Sequence, residues 1–321
     1  MSLDFLLDNL TNPALLFFLL GLLAVQFKSD LAIPESSSKF ISLYLLFSIG
    51  FKGGHELAHS ELTLGILWIL LFGIVLAVSV PLYSFFILRK RLGTENAGAI
   101  AAAYGSVSAV TFVTCVAYLE SLNVEFGGYM IAVMALMEAP AIIVGVLLMS
   151  WFRRHKAEKL SLTSIVKHSV TNGSVFLIAG SLLIGYVSSD AQARGIEPFT
   201  TDIFKGFLAV FLLDMGITSG KKLSAFWKNG VFPLAFAIVV PLLNGIIVAM
   251  ISSVVTDSPG DRLLFAILAA SASYIAVPAA MKMAIPNANP GLYIPMALAI
   301  TFPFNITLGM PLYFQIINFM T

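Results

Sequence analysis

The sequence predicts an all-α integral membrane protein, with ten transmembrane helices arranged as two inverted five-helix repeats. Three observations predict it. Hydrophobic residues make up 59% of the 321 and charged residues only 11%, with a mean hydropathy of +0.94, a balance that the surface of a soluble domain does not tolerate. Ten apolar segments can be drawn, five in each half. The halves also repeat one another. Gly50-Phe51-Lys52-Gly53-Gly54, Ser106-Val107-Ser108 and Gly127-Gly128-Tyr129 return as Gly216-Ile217-Thr218-Ser219-Gly220, Ser271-Ala272-Ser273 and Gly291-Leu292-Tyr293, at offsets of 166, 165 and 164 residues. An odd number of spans per repeat makes the second copy enter the membrane with opposite orientation, as in transporters whose halves rock around a site at their interface.

In chain order, the first segment (13 to 27) follows Asp4, Asp8 and Pro13 and lacks the basic stretch of a cleaved signal peptide, so it reads as a permanent helix. The second (40 to 51) and seventh (203 to 217) fall short of the ~20 residues of a straight span; they continue through their glycine-rich ends or tilt. The third (62 to 88), fifth (128 to 152), sixth (171 to 188), eighth (231 to 256) and tenth (291 to 317) read as plain spans. The fourth (96 to 119) and ninth (261 to 284) carry polar, small-residue interruptions near their middles. The expected organisation is a first repeat at 1–152, a short basic linker at 153–168 and a second repeat at 169–321.

Lysine and arginine set the orientation, because cytoplasmic loops are enriched in them. With both termini outside, Lys28, Lys39, Arg89, Lys90, Arg91, Arg153, Arg154, Lys156, Lys159, Lys167, Lys221, Lys222, Lys228 and Lys282 fall inside, against Lys52, Arg194, Lys205 and Arg262 outside. The linker is then cytoplasmic, and too short for a soluble regulatory domain. The net charge of +1 and the absence of a basic stripe argue against nucleic-acid binding. Cys115 is the single cysteine and reads as a packing residue. His55, His59, His155 and His168 read as loop residues without metal-ligand spacing, and no catalytic triad, phosphate loop or zinc motif is present, so an enzyme is the least favoured class.

The chemistry points to the two interruptions. Gly105-Ser106-Val107-Ser108, followed by Thr111 and Thr114, sits in the fourth segment; Ser271-Ala272-Ser273 and then Pro278 sit in the ninth. Serines two apart share one side of an extended chain, not of a helix, and unwound backbone at midplane is tolerated only where protein or water satisfies it. If both segments break there, the half-helices that follow aim free N–H groups and positive dipole ends at one point, which favours a small anion. The alternative is that Ser, Gly and Ala merely let helices approach closely; recurrence at equivalent places in both repeats favours the site. Glu138 and Asp214 have apolar neighbours on both sides, and intramembrane carboxylates are functional candidates by default. Glu138 is the better candidate to ligate sodium with hydroxyl and carbonyl oxygens, with Thr111 and Asp214 as further candidates; a protonated Glu138 bonded to a neighbouring helix is the structural alternative. Lys282 reads as snorkelling to the interface. Asn244, Asn305 and Thr307 read as polar residues bonding between helices.

With the repeats, the two Ser-x-Ser breaks and the motifs Met137-Glu138-Ala139-Pro140-Ala141, Phe211-Leu212-Leu213-Asp214-Met215-Gly216 and Ile285-Pro286-Asn287-Ala288-Asn289-Pro290, the chain resembles the sodium-dependent bicarbonate transporter family over nearly its whole length. The resemblance implies a fold similar to sodium/proton antiporters and bile-acid symporters, with crossed broken helices 4 and 9. It implies a homotrimer that takes up bicarbonate with sodium as the coupling ion. It also implies bicarbonate at Gly105, Ser106, Ser108, Ser271, Ala272 and Ser273, and sodium near Glu138, where familiar members carry an aspartate. Tyr274 stands where the family pattern has an aspartate after the second serine, and Ala276 and Val277 stand for a serine and a glycine. The linker is shorter than in members that bind a PII-like cytoplasmic regulator. The expected function is sodium-coupled uptake of bicarbonate or a similar small anion across the inner or plasma membrane. Its rivals are a sodium/proton antiporter using Glu138 or Asp214, and a non-transporting receptor or scaffold of the same fold.

Overall fold

The computed structural model describes residues 13–59, 63–152, 167, 171, 173–226, 230–274 and 276–320, and among these the chain is helical with no strand. The helices are α1 (Pro13–Gln26), α2 (Glu35–Ala58), α3 (Leu64–Leu92), α4 (Thr94–Gly105), α5 (Ala109–Ser121), α6 (Tyr129–Phe152), α7 (Gly173–Val187), α8 (Asp190–Glu197), α9 (Phe204–Phe226), α10 (Val231–Ile251), α11 (Pro259–Ala270), α12 (Ala276–Ala284) and the long α13 (Pro290–Met320). Among the described residues, six helical runs are long and apolar enough to cross a membrane: α3, α4 with α5, α6, α8 with α9, α10, and α13. The chain is therefore a multi-pass membrane protein. The apolar helices α1 and α7 are shorter.

The fourth and ninth segments are each two helices, α4/α5 and α11/α12, interrupted where the serines stand. The second and seventh run on through their glycines, α2 to Ala58 and α9 to Phe226. The sequence did not anticipate α8, an eight-residue helix started by a Ser189/Gln192 capping box, nor the π-helical stretches Met296–Thr301 and Asn305–Gly309 inside α13. Of the histidines, His55 lies in the last turn of α2 and His59 directly caps it, one helical turn apart, so the loop assignment is corrected for these two; His155 and His168 lie outside the described residues. Arg262 is likewise no loop residue: it is buried in the first turn of α11 and donates to the Ala249 carbonyl at 3.0 Å.

Burial separates the helices into a centre and a shell. In the α4/α5 run 89% of the most apolar stretch is buried, against 33% for α3, so the broken helices form the centre. Leu67, Trp68 and Leu71 of α3, and Val239, Leu243 and Ile247 of α10, turn outward, as lipid-facing side chains do.

Glycines set two of the tightest interfaces. A Cβ at Gly50 of α2 would lie 2.8 Å from the Ser181 Cβ and 2.9 Å from the Ile178 carbonyl oxygen of α7. One at Gly54 would lie 2.9 Å from the Leu182 Cα, and one at Gly185 would run into the Phe51 carbonyl group. The same arrangement occurs between α9 and α1, where a Cβ at Gly216 would lie 3.0 Å from the Gly21 Cα and one at Gly220 3.1 Å from the Val25 Cβ. Gly50 and Gly216, like Gly54 and Gly220, are 166 residues apart, so each half offers its second helix to the first helix of the other.

The loops repeat the exchange. Buried Asp261, at the start of α11, accepts from the Gly127 amide at 2.7 Å, from Thr256 Oγ1 at 3.1 Å and from the Tyr129 hydroxyl. Glu95, 166 residues earlier at the start of α4, accepts from Asn287 Nδ2 at 3.3 Å, and Asn96 Oδ1 accepts from the Asn289 amide at 2.8 Å. Replacing Gly54 or Gly216 by valine forces backbones apart and is expected to cost about 1–3 kcal/mol, the usual penalty for overpacking. Thermal unfolding in detergent checks this; an unchanged midpoint in both variants would contradict the close approach.

Candidate functional site

The two interruptions meet. After α4 ends at Gly105, Ser106 and Ser108 adopt extended backbone angles; after α11 ends at Ala270, Ser271 does the same. The Ser108 amide donates to Ser271 Oγ at 3.0 Å. The Ser273 amide donates to the Ala103 carbonyl at 2.7 Å and to the Ser106 carbonyl at 3.2 Å. Unwound backbone inside a bilayer needs such partners, since water is not there to supply them.

Each half-helix end has its own supports. Ser108 Oγ accepts from the Thr111 amide at 3.2 Å and so caps the start of α5. The exposed carbonyls at the end of α11 are met by side chains: Ser271 Oγ donates to Leu268 O at 3.1 Å, Asn244 Nδ2 to Ala269 O at 3.0 Å, and Asn305 Nδ2 to Ala270 O at 2.8 Å. Asn244 in turn accepts from the Tyr83 hydroxyl at 2.5 Å. The π-helical stretches of α13, a device frequent at functional sites, contain Thr301 and Asn305; Thr301 donates to Ala237 O and bonds the Tyr104 hydroxyl, both at 2.7 Å.

A cavity of about 20 Å³ opens at the crossing, enough for one water-sized species. Ser108, Ser273, Tyr274 and Glu138 line it together with Val107, Ala109, Met134 and Ala135; Leu46 of α2 and Ser174 and Ile178 of α7 close it from the opposite side. Glu138 forms no hydrogen bond or ion pair among the described residues. Pro140, inside α6, has no N–H to offer the Leu136 carbonyl one turn back, so the helical ladder is interrupted near the Glu138 turn.

The candidates therefore separate into groups. Ser108, Ser273 and Glu138 share the cavity. Ser106, Ser271 and Ala272 are buried at the crossing itself, and the Ser106 hydroxyl has no hydrogen-bond partner among the described residues. Gly105 has a packing role, since a Cβ there would lie 2.5 Å from Pro81 Cδ and 3.1 Å from the Ala141 Cβ. Thr111 is buried in the first turn of α5. Asp214 stands apart from the cavity: it accepts from Ser38 Oγ of α2 at 2.5 Å. Tyr274 lies between the two carboxylates. It lines the cavity, its hydroxyl contacts Met215 Sδ at 3.8 Å, and its ring packs edge-on against Phe302. Sequence reading expected Asn244 and Asn305 to bond between helices, as they do, without assigning them to the end of α11. It did not single out Tyr104 or Thr301.

A family model described as the Na+-dependent bicarbonate transporter superfamily matches residues 13–318 of the chain. No curated protein matches it.

Asn305→Leu leaves the Ala270 carbonyl buried without a donor, and Asn244→Leu does the same at Ala269. Each is expected to cost about 1–3 kcal/mol, the penalty for an unsatisfied buried acceptor, and to lower the unfolding midpoint in detergent more than Leu243→Ala on the outer face of α10. Equal midpoints for wild type and both asparagine variants would remove the capping role.

Proposed function

The chain belongs to the Na+-dependent bicarbonate transporter superfamily, and from that premise we propose that it carries bicarbonate inward together with sodium, by alternating access around the crossing of the two broken runs. The observation that carries this reading is the charge balance of the cavity. Glu138 lines it, and no lysine or arginine does among the described residues. A univalent anion about 4 Å from an ionised carboxylate is repelled by about 4 kcal/mol at an effective dielectric of 20. The partial positive charge at the starts of α5 and α12, about half a unit each, offsets only part of that. A sodium ion supplies what is missing, and takes hydroxyl, carbonyl and carboxylate oxygens as ligands.

In this reading the anion is held by the backbone and hydroxyls of Gly105, Ser106, Ser108, Ser271, Ala272 and Ser273. Sodium sits at Glu138, with Thr111 in the turn above and Asp214 behind Tyr274 as a second, more distant carboxylate. Each ion raises the affinity for the other, by the reciprocity of linked binding. Two inverted five-span repeats with both termini outside are the arrangement behind it. The exchanged contacts between halves at the Gly50/Gly216 and Glu95/Asp261 positions support a pseudo-two-fold relation.

The same cavity suits the motion. Its walls come from α5, α6 and the ninth-segment break on one side and from α2 and α7 on the other. Sliding at that boundary opens the site to one face of the membrane and then to the other, with the broken helices moving against α1, α2, α7 and α9.

Proteoliposomes with an inward sodium gradient are expected to accumulate labelled bicarbonate. Ser108→Ala, Ser273→Ala and Glu138→Gln should each lower that uptake more than about tenfold, equivalent to at least 1.4 kcal/mol of lost stabilisation, without loss of folded protein. Normal uptake in all three variants rules out the site. Sodium flux against protons with no requirement for bicarbonate identifies an exchanger instead.

A further inference from the structure

We propose that His55, His59 and Asp190 form a binding site for a divalent transition metal of the zinc class, joining the end of α2 to the turn between α7 and α8. The site lies outside the crossing and is independent of the transport reading. His55 and His59 are four residues apart at the end of α2, the spacing that places two side chains one above the other on a helix face. Asp190 comes from the other half of the chain. The Ser189/Gln192 capping box fixes the first turn of α8 and thereby the position of this carboxylate.

The distances match the coordination. Asp190 Oδ1 is 3.1 Å from His59 Nε2 and 3.5 Å from His55 Nε2, and the three ligand atoms lie within 4.8 Å of one another. Zinc bonds to nitrogen and oxygen of about 2.0–2.1 Å set tetrahedral ligand atoms about 3.4 Å apart. Two of the three edges are therefore close to the required length, and drawing the imidazoles together completes the third.

A second observation concerns the far side of the ring. His59 Nδ1 lies 2.9 Å from the His55 carbonyl oxygen, which accepts only if that nitrogen carries the proton. Nε2 then faces a carboxylate oxygen, a position filled by a second ring proton in the metal-free protein and open to a metal ion that displaces it. Metal-bound histidines are held in this manner, with the remote ring N–H donated to a backbone carbonyl. The nearest cationic side chain on α2, Lys52, is engaged with Glu120 at 2.8 Å. Glu56, Arg194 and Glu197 line an adjoining cavity of about 220 Å³. Two imidazoles and a carboxylate suit zinc and cobalt and leave the remaining position to water.

The full chain, purified without a histidine tag and stripped by chelator, is titrated with Co2+ and then with Zn2+. One Co2+ per chain with the visible bands of tetrahedral cobalt, displaced by zinc, is expected. His59→Asn and Asp190→Asn should each weaken binding about tenfold or more while the unfolding midpoint of the metal-free protein stays unchanged. Absence of stoichiometric binding to the wild type, or undiminished binding in both variants, overturns the assignment.

Discussion

The amide of Ser108 bonds to the Ser271 hydroxyl, and the amide of Ser273 to the carbonyls of Ala103 and Ser106. Backbone that leaves the helix inside a bilayer loses its internal partners, and the cost of leaving those groups bare is several kcal/mol each. Here each break is the partner of the other, so both must lie at the same depth and in contact. That requirement fixes α4/α5 and α11/α12 at the centre and sends α3 and α10 outward. The alanines of α4 (Ala97, Ala99, Ala101, Ala102 and Ala103) and of α11 (Ala266, Ala269 and Ala270) are all buried, and their small side chains allow the approach.

The crossing is then stiffened unequally. Three side chains, from Ser271, Asn244 and Asn305, hold the last carbonyls of α11, and the π-helical stretches of α13 contain Thr301 and Asn305. Around α4 and α5 the supports include Ser108 capping the following half-helix and Tyr104 reaching Thr301. The resulting cavity is lined by one carboxylate and several hydroxyls and is bounded by helices from two groups.

Much of this was legible in the sequence because its causes are local or periodic. Apolar length pointed to the membrane-spanning helices, and the nearly constant offset between glycine and serine motifs pointed to matching contacts in the two halves. The interruptions were visible because Ser-x-Ser with flanking Gly or Pro is a poor helix core. What the sequence did not reveal depends on contacts distant along the chain. Asn244 and Asn305 reach carbonyls 25 and 35 residues away. Asp214 binds Ser38 across 176 residues. The sequence showed Gly105 as part of a break but not that Pro81 and Ala141 pack where its side chain would stand. His55 and His59 were read as loop residues because the apolar run stops at Phe51, whereas α2 continues through Gly53 and Gly54 on packing supplied by Ile131 of α6 and Leu182 of α7.

The exchanged glycine interfaces have a consequence for how the chain comes to be one object. Gly50 and Gly54 are met by Ile178, Ser181 and Leu182; Gly216 and Gly220 by Phe18, Gly21 and Val25. Each half thus presents close-packed glycine surfaces to the other half. In thermodynamic terms the halves are receptor and ligand for one another, and the segment connecting them acts as a tether that turns a second-order encounter into an intramolecular one at high effective concentration. Part of what holds the whole together is then the affinity of one half for its counterpart.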